Sequence, residues 1–423
     1  MIPLYNLCQL VILTVVWPAL VILILCKVKY RKTILSRLGV GLRRHFPAGP
    51  GDRKTVWIHA LSVGEVSSAR PLVRGLREAF PEIRIVVSTA TATGRQVAHT
   101  LLASHVNAVI ASPLDFQPAV ALFLDTIRPD LFILVETDFW PNLLTALQKK
   151  NIPTILVNGR ISARSFSAYR RTAFFFRPLF QSFSHLCMQT MEDLGKMREF
   201  GVDSERLHCP GNLKYDTFLY TNGGRTEQFS RFIPDRSLVF LAGSTHEGEE
   251  DIIFSVCSEL KKKYENLFLI LAPRDPGRGR EIGQLAASHQ LSSMYRSDNQ
   301  AKAADLLILD SMGELPWLYA LADIAFVGGS MVSRGGHNPI EPAGHAVPIL
   351  FGRHMEDFSE ISRDLVLAGG ALEVTGSESL HHTLNRLLAS KEQRQKIGRL
   401  ARECIERQRG VVERHLEIIR PYL

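Results

Sequence analysis

The sequence is poor in the residues that build disulfide frameworks, zinc modules and metal-to-phosphate bridges. Its 423 residues hold six cysteines, and Cys8, Cys26, Cys187, Cys209, Cys257 and Cys404 are scattered without a C-x-x-C pair. That argues against a disulfide-stapled secreted domain and for reduced thiols in a cytosolic compartment. No Asp-x-Asp pair occurs, so a metal bridging to a phosphate has no obvious ligands, and His337, His345 and His354 match no common ligand spacing. No glycine loop ends in Gly-Lys-Ser/Thr, which excludes a P-loop. Neither a metal nor a cofactor is expected.

Charge is missing altogether from Met1 to Cys26, and Leu4 to Cys26 is nearly continuous Leu, Ile and Val around Trp17 and Pro18. A helix rises 1.5 Å per residue, so a run of this length can cross a hydrocarbon core of about 30 Å. Lys27, Lys29, Arg31, Lys32 and Arg37 follow at once, and by the positive-inside rule they place the remaining chain in the cytoplasm. A cleaved signal peptide would carry its positive charges before the apolar run, and these are absent. Residues 1–30 are therefore expected to form an uncleaved, single-pass membrane anchor. Asn6, Gln9 and Pro18 weaken the span, and a helix lying in the interface is the alternative.

What is present is globular. A chain of this length exceeds one ordinary core, so two large domains are expected. Formal net charge is +8, from 50 Lys and Arg against 42 Asp and Glu, which gives a general attraction to anions. Membrane phosphates, acidic lipids and nucleotides all fit, and charge alone does not choose. Short apolar runs at Thr55–Ala60, Ile83–Ser88, Ala108–Ala111, Leu131–Val135 and Thr154–Val157 alternate with helix-length segments. The second half repeats the plan at Leu238–Ala242, Leu267–Ala272, Leu306–Leu309, Ile324–Val327 and Val347–Phe351. Alternation of this kind predicts parallel sheets covered on both faces, α/β in class. The polar, turn-rich stretch from Thr221 to Pro234 is the expected boundary between domains at 31–220 and 235–423.

Ligand sites of open parallel sheets lie beyond the carboxyl ends of the strands. The richest such exit is Gly335-Gly336-His337-Asn338-Pro339-Ile340-Glu341-Pro342. The glycine pair permits close backbone approach, Asn338-Pro339 sets up a helix start, and Glu341 falls in the first turn. This suits a phosphate near the amides and a ribose hydroxyl on Glu341, although a plain strand-to-helix turn would use the same residues. Glu65 follows Gly64 at a helix start, either as an acid that complements the helix dipole or as a general base. Glu136 and Asp138 close the run Leu131–Val135 before Phe139-Trp140, where they either cap the next helix or face a sugar. Lys214 is either a solvated lysine or a cation that meets leaving-group charge. Ser244, in Gly243-Ser244-Thr245-His246-Glu247-Gly248-Glu249-Glu250, offers a hydroxyl near early-turn amides, while the acids there complement a helix dipole. Pro273-Arg274 leaves a strand with a guanidinium fork suited to phosphate, and Met312-Gly313-Glu314 leaves another with a flexible backbone suited to a flat base.

In order along the chain, Ser62-Val63-Gly64-Glu65, Glu136-Thr137-Asp138-Phe139-Trp140-Pro141-Asn142, Gly243-Ser244-Thr245-His246-Glu247, Pro273-Arg274 and Gly335 to Pro342 resemble the 3-deoxy-D-manno-octulosonic acid (Kdo) transferases of lipopolysaccharide synthesis. The resemblance implies a GT-B glycosyltransferase of family 30, with two Rossmann-like domains facing a central cleft behind an N-terminal anchor helix. It implies CMP-Kdo as donor, the lipid A precursor lipid IVA as acceptor, contact with inner-membrane phospholipids, and no nucleic-acid partner. Carried over by position, Glu65 is the proton acceptor, and Glu136 and Lys214 stabilise the transition state. Pro273, Arg274, Met312, Gly313, Glu314, Asn338, Pro339, Ile340 and Glu341 bind CMP, with Ser244, Gly336 and His337 as further donor-side candidates. The family commonly continues Pro-Arg with His-Pro-Glu-Arg, whereas Asp275-Pro276-Gly277-Arg278 stands here, so a role for that histidine is lost.

An inverting, metal-independent displacement is the expected chemistry. Arg160, Arg164, Arg170, Arg171 and Arg177 beside Phe174, Phe175 and Phe176 read either as a phospholipid-facing patch or as a buried aromatic segment. A GT-B-like nucleotide-sugar epimerase and a membrane-tethered nucleotide-sugar-binding protein without turnover are the rival readings.

Overall fold

The computed structural model describes residues 2–26, 28–46, 53–220, 226–298 and 303–423, and the side chains at 13, 16–32 and 218–220 lie outside that description. The chain forms two compact units, Met1–Asp216 with Gly410–Leu423, and Thr217–Arg409. The second domain, expected to run to residue 423, thus gives up its last segment to the first. Part of the expected boundary, residues 221–225, lies outside the described residues.

The first unit holds a parallel sheet of β1 (Thr55–His59), β2 (Arg84–Thr89), β3 (Ala108–Ala111), β4 (Leu131–Val135), β5 (Thr154–Gly159), β6 (His185–Met188) and β7 (Leu207–His208), in the order β3-β2-β1-β4-β5-β6-β7. Its central strands β1 and β4 are buried at every position, as expected of a sheet covered on both faces. The helix Val63–Ala79 that follows β1 turns Val66, Ala69, Leu72, Val73 and Leu76 into the core. These positions recur at the three- and four-residue intervals of one helical face.

The second unit repeats the architecture with β8 (Leu238–Thr245), β9 (Leu267–Pro273), β10 (Ser293–Tyr295), β11 (Leu306–Ile308), β12 (Ile324–Val327), β13 (Ile349–Phe351) and β14 (Ala371–Glu373). The order is β10-β11-β9-β8-β12-β13-β14, again parallel throughout. Both units are therefore Rossmann-like α/β sheets, the fold class expected from the sequence.

The single-pass anchor expected over residues 1–30 finds no support here, and most of its apolar run, the side chains at 13 and 16–30, lies outside the described residues. Residues Ile2–Cys26 form a helix, but among the described residues no helix is long and apolar enough to cross a membrane. Its first turns also carry polar side chains bound to the first unit. Tyr5 donates to Asp115 Oδ2 at 2.9 Å, Gln9 Nε2 donates to the Asp115 carbonyl at 2.9 Å, and Asn142 Nδ2 donates to Asn6 Oδ1 at 2.7 Å. Asn6 and Gln9, two of the residues that weakened the apolar run, thus help to dock the helix on protein. The arginine-aromatic segment divides in the same way: Phe174 is exposed, while Phe175 and Phe176 pack against the first unit's core.

Candidate active site

In the first sheet β1 is followed outward by β2 and β3, and β4 by β5, β6 and β7, so the strand order reverses between β1 and β4. Loops leaving the two sides of such a switch point diverge and open a crevice. Glu65 follows β1 and Glu136 follows β4, which places the two carboxyls on opposite lips. Ser62 caps the helix after β1 by accepting from the Glu65 amide, and the Glu65 carboxylate reaches back to accept from the Leu61 amide. This is close to a capping box, so the helix-start role of Glu65 is real. Its environment is nonetheless unusual. Desolvation, then the Glu136 charge and more weakly Asp138, push the Glu65 carboxyl up to about 8, against the pull of the Leu61 and Ser62 amides.

Glu136 sits in left-handed backbone, φ 65°, a conformation that costs a non-glycine residue about 1–2 kcal/mol and is retained where the surroundings impose it. Asn158, at the end of β5 and also at positive φ, donates to Glu136 Oε1 at 3.3 Å and accepts from the Leu213 amide at 2.9 Å. Gln189 donates to the Asn158 carbonyl, Asn212 donates to Gln189, and the Lys214 amide donates to Asn212 Oδ1 at 3.0 Å. One network of side-chain amides therefore joins Glu136 to the segment that carries Lys214. Beside it a pocket of about 220 Å³ is lined by Glu136, Thr137, Arg160, Ser162 and Tyr169. Behind Glu65, His59 is fully buried between Ser88 Oγ and Asp138 Oδ2, each at 2.9 Å, and Trp140 Nε1 donates to the same Asp138 oxygen. Asn158, Gln189, Asn212 and His59 were not singled out from the sequence; polar residues at the ends of apolar runs were the only signal available.

In the second sheet the order reverses about β8, with β9 on one side and β12 on the other. Glu249, completely buried, accepts from the amides of His246 at 3.0 Å, Gly329 at 2.8 Å, Ser330 at 3.0 Å and Met331 at 2.9 Å. It ties the exit of β8 to the exit of β12, a far more specific task than complementing a helix dipole. The two exits nearly touch: a Cβ on Gly328 would lie 2.4 Å from the Ser244 carbonyl oxygen. Ser244 itself is at positive φ. Arg274 follows β9, is exposed, and its amide donates to the Thr245 carbonyl at 2.9 Å.

Gly335 and Gly336 both adopt positive φ, and a Cβ on Gly336 would lie 2.4 Å from Met355 Sδ and 2.9 Å from the His354 carbonyl. Close approach is thus a requirement of the fold here. His337 Nε2 stands 2.9 Å from His246 Nε2. Pro339 precedes the short helix Ile340–Gly344 with Glu341 in its first turn, and Asn338 both donates to Glu341 at 3.2 Å and accepts from the Ile340 amide at 3.1 Å. Burial raises Glu341 to about 7, opposed by the Asn338 hydrogen bond. Met312 is exposed and Gly313 is at positive φ, but Glu314 is engaged by Arg296 at 3.1 Å and by Ser311. The exits of β9, β8 and β12 therefore bring Arg274, Ser244, His246, His337 and Gly336 into one region, while Glu314 lies one strand farther out, after β11.

The family model for 3-deoxy-D-manno-octulosonic-acid transferase (kdotransferase) matches residues 34–217. The 3-deoxy-D-manno-octulosonic acid transferase of Haemophilus influenzae is 35% identical over 93% of this chain and 92% of its own. The enzyme of the same name from Rickettsia bellii is 29% identical over 92% of this chain and 91% of its own. Among solved structures, the UDP-GlcNAc 2-epimerase of Neisseria meningitidis superposes with a TM-score of 0.60, covering 86% of this chain and 100% of that one at 16% identity, a likeness of fold alone. On the match to the Haemophilus influenzae enzyme over 93% of this chain, the chain belongs to the 3-deoxy-D-manno-octulosonic acid transferase family, glycosyltransferases of lipopolysaccharide biosynthesis.

Proposed function

We propose that the chain transfers Kdo from CMP-Kdo to the lipid A precursor lipid IVA by an inverting single displacement that needs no metal. Glu65 removes the proton of an acceptor sugar hydroxyl while that oxygen attacks the anomeric carbon of Kdo. The bond from that carbon to the phosphate oxygen breaks, and its electron pair leaves with CMP. Arg274, Lys214 and the amides from Gly335 to Asn338 meet the charge gained by the departing phosphate. Pro273, Met312, Gly313, Glu314, Pro339 and Ile340 form the CMP walls, with Glu341 on the ribose and Glu136 stabilising the transition state. The observation that carries the reading is the Glu65 carboxyl, buried at a switch point and held up to about 8, which is the range useful to a general base.

Purified protein with CMP-Kdo and lipid IVA is expected to yield a Kdo-extended lipid, and mass spectrometry of the product counts the residues added. Replacement Glu65→Ala is expected to lower transfer by about 10²–10⁴-fold while CMP binding persists. Equal loss of binding and transfer would remove Glu65 from the role of base.

A further inference from the structure

His246, after β8, and His337, after β12, share one hydrogen bond. Their Nε2 atoms are 2.9 Å apart and their rings are 4° from parallel. Two imidazole nitrogens this close need a single proton between them, so one ring donates and the other accepts. In the neutral pair the donor ring has a bare Nδ1, and the acceptor ring carries its hydrogen on Nδ1.

The pair is held from below and behind. Glu249 fixes the His246 amide and the Gly329 amide at once. Gly329 lies against both rings, where a Cβ would come 3.1 Å from His337 Cδ2 and 3.4 Å from His246 Cδ2. The charged groups around His246 are Glu249, which favours a cation there, and Arg334, Arg274 and Arg278, which oppose it. Around His337, Arg274 and His246 oppose a cation. Burial first and these neighbours second lower both imidazoles, His337 to about 4. Without a ligand the pair is therefore neutral near pH 7. An anion beside Arg274 offsets the charge part of that lowering, in which Arg274 acts on both rings.

We propose that the His246–His337 pair takes up one proton from solvent when the phosphate of a nucleoside monophosphate binds beside Arg274. The pair becomes imidazolium and imidazole, keeps the Nε2–Nε2 bridge and carries hydrogen on both Nδ1 atoms, so that both outer nitrogens are donors. No bond of the nucleotide is made or broken. This deepens the donor-site reading above and rests on it. A dianionic monoester attracts the extra proton more strongly than a monoanionic diester, so the pair discriminates product from donor and its grip on product loosens as pH rises.

The test is calorimetric titration of the full chain with CMP in buffers of different ionisation enthalpy near pH 7, with cytidine as the ligand that lacks phosphate. Wild type is expected to take up as much as about one proton per CMP and none with cytidine, and CMP affinity is expected to fall by up to ~10-fold per pH unit, the limit for one linked proton. The ligand itself does not mimic this: a phosphate that titrates in a cationic site releases a proton instead. His246→Asn and His337→Asn are each expected to abolish the uptake. Proton NMR of the wild-type imidazoles with and without CMP gives the same answer if a variant fails to fold, with two ring signals titrating at higher pH only when CMP is present. CMP binding with no uptake, or with uptake unchanged in both variants, overturns the proposal while leaving the donor site intact. Failure of wild type to bind CMP at all overturns the donor site as well.

Discussion

The Glu65 carboxyl is desolvated near Glu136 and Asp138 and is held up to about 8, so at pH 7 most molecules carry it protonated and only the ionised fraction can accept a proton. If it is the base, kcat/KM rises with pH along an acidic limb whose apparent pKa lies near about 8. Glu136→Gln removes the largest charge contribution to that shift, so the limb is expected to move to lower pH even though the maximal rate falls. A limb that stays in place in Glu136→Gln would show that another group sets it. The same shift has a consequence for stability, with the opposite sense to that of a salt-bridged carboxylate. Between the ordinary glutamate value and about 8, the folded chain holds a proton here that the unfolded chain has lost. Stability is therefore drained as pH rises through that window. Glu65→Gln cannot lose the proton, and its urea midpoint is expected to gain on wild type between about pH 5 and about pH 8.5. A constant difference across that range would contradict the raised value.

At the scale of elements, strands that are continuous apolar runs bounded by turn residues were readable; β3, β4 and β12 fall on the residues expected. The short peripheral strands were not. β6 is His185-Leu186-Cys187-Met188, β14 is Ala371-Leu372-Glu373, and β7 and β10 are two and three residues long, too brief for periodicity to register. The docking of the N-terminal helix was illegible for a related reason, since the value of Tyr5, Asn6 and Gln9 depends on Asp115 and Asn142, which lie more than a hundred residues away. The glycine turns of the donor region were legible locally because positive φ and close approach leave a sequence trace. Glu249 was not, because three of its four amides come from residues 329–331, about 80 positions downstream. Glu249→Gln replaces an acceptor-only group with one whose amide end faces N–H donors. The expected cost is about 1.5–3 kcal/mol per charged hydrogen bond lost, seen as a lower denaturant midpoint together with weaker CMP binding. Unchanged CMP affinity in a destabilised variant would mean that the two exits hold their geometry without the carboxylate.

For the molecule as a whole, the course of the chain decides which unit each end supports. The chain leaves the first unit after Asp216 and returns to it at Gly410, and Asp216, itself buried, secures the return by accepting from the amides of Gly410 at 3.0 Å and Val412 at 2.7 Å. Arg414 Nε donates to the Pro210 carbonyl at 2.8 Å. The helix Val411–Ile419 then packs on the helix Val63–Ala79, whose first turn carries Glu65. Gly75 makes room for it: a Cβ there would lie 2.6 Å from Val412 Cγ1. Val411, Leu416 and Ile419 are buried, and full burial of such side chains is worth about 1.5–3 kcal/mol each. Removing residues 410–423 is therefore expected to destabilise the first unit and leave the second largely intact. Hydrogen exchange should show amide protection falling in Val63–Ala79 but not in the helix Glu249–Lys261, with CMP binding retained and transfer lost. Gly75→Val, which keeps the chain whole and only crowds Val412, is expected to produce the same pattern in weaker form. Protection lost first in Glu249–Lys261 would assign the C-terminal helix to the second unit's stability and overturn the division of the chain argued from its contacts.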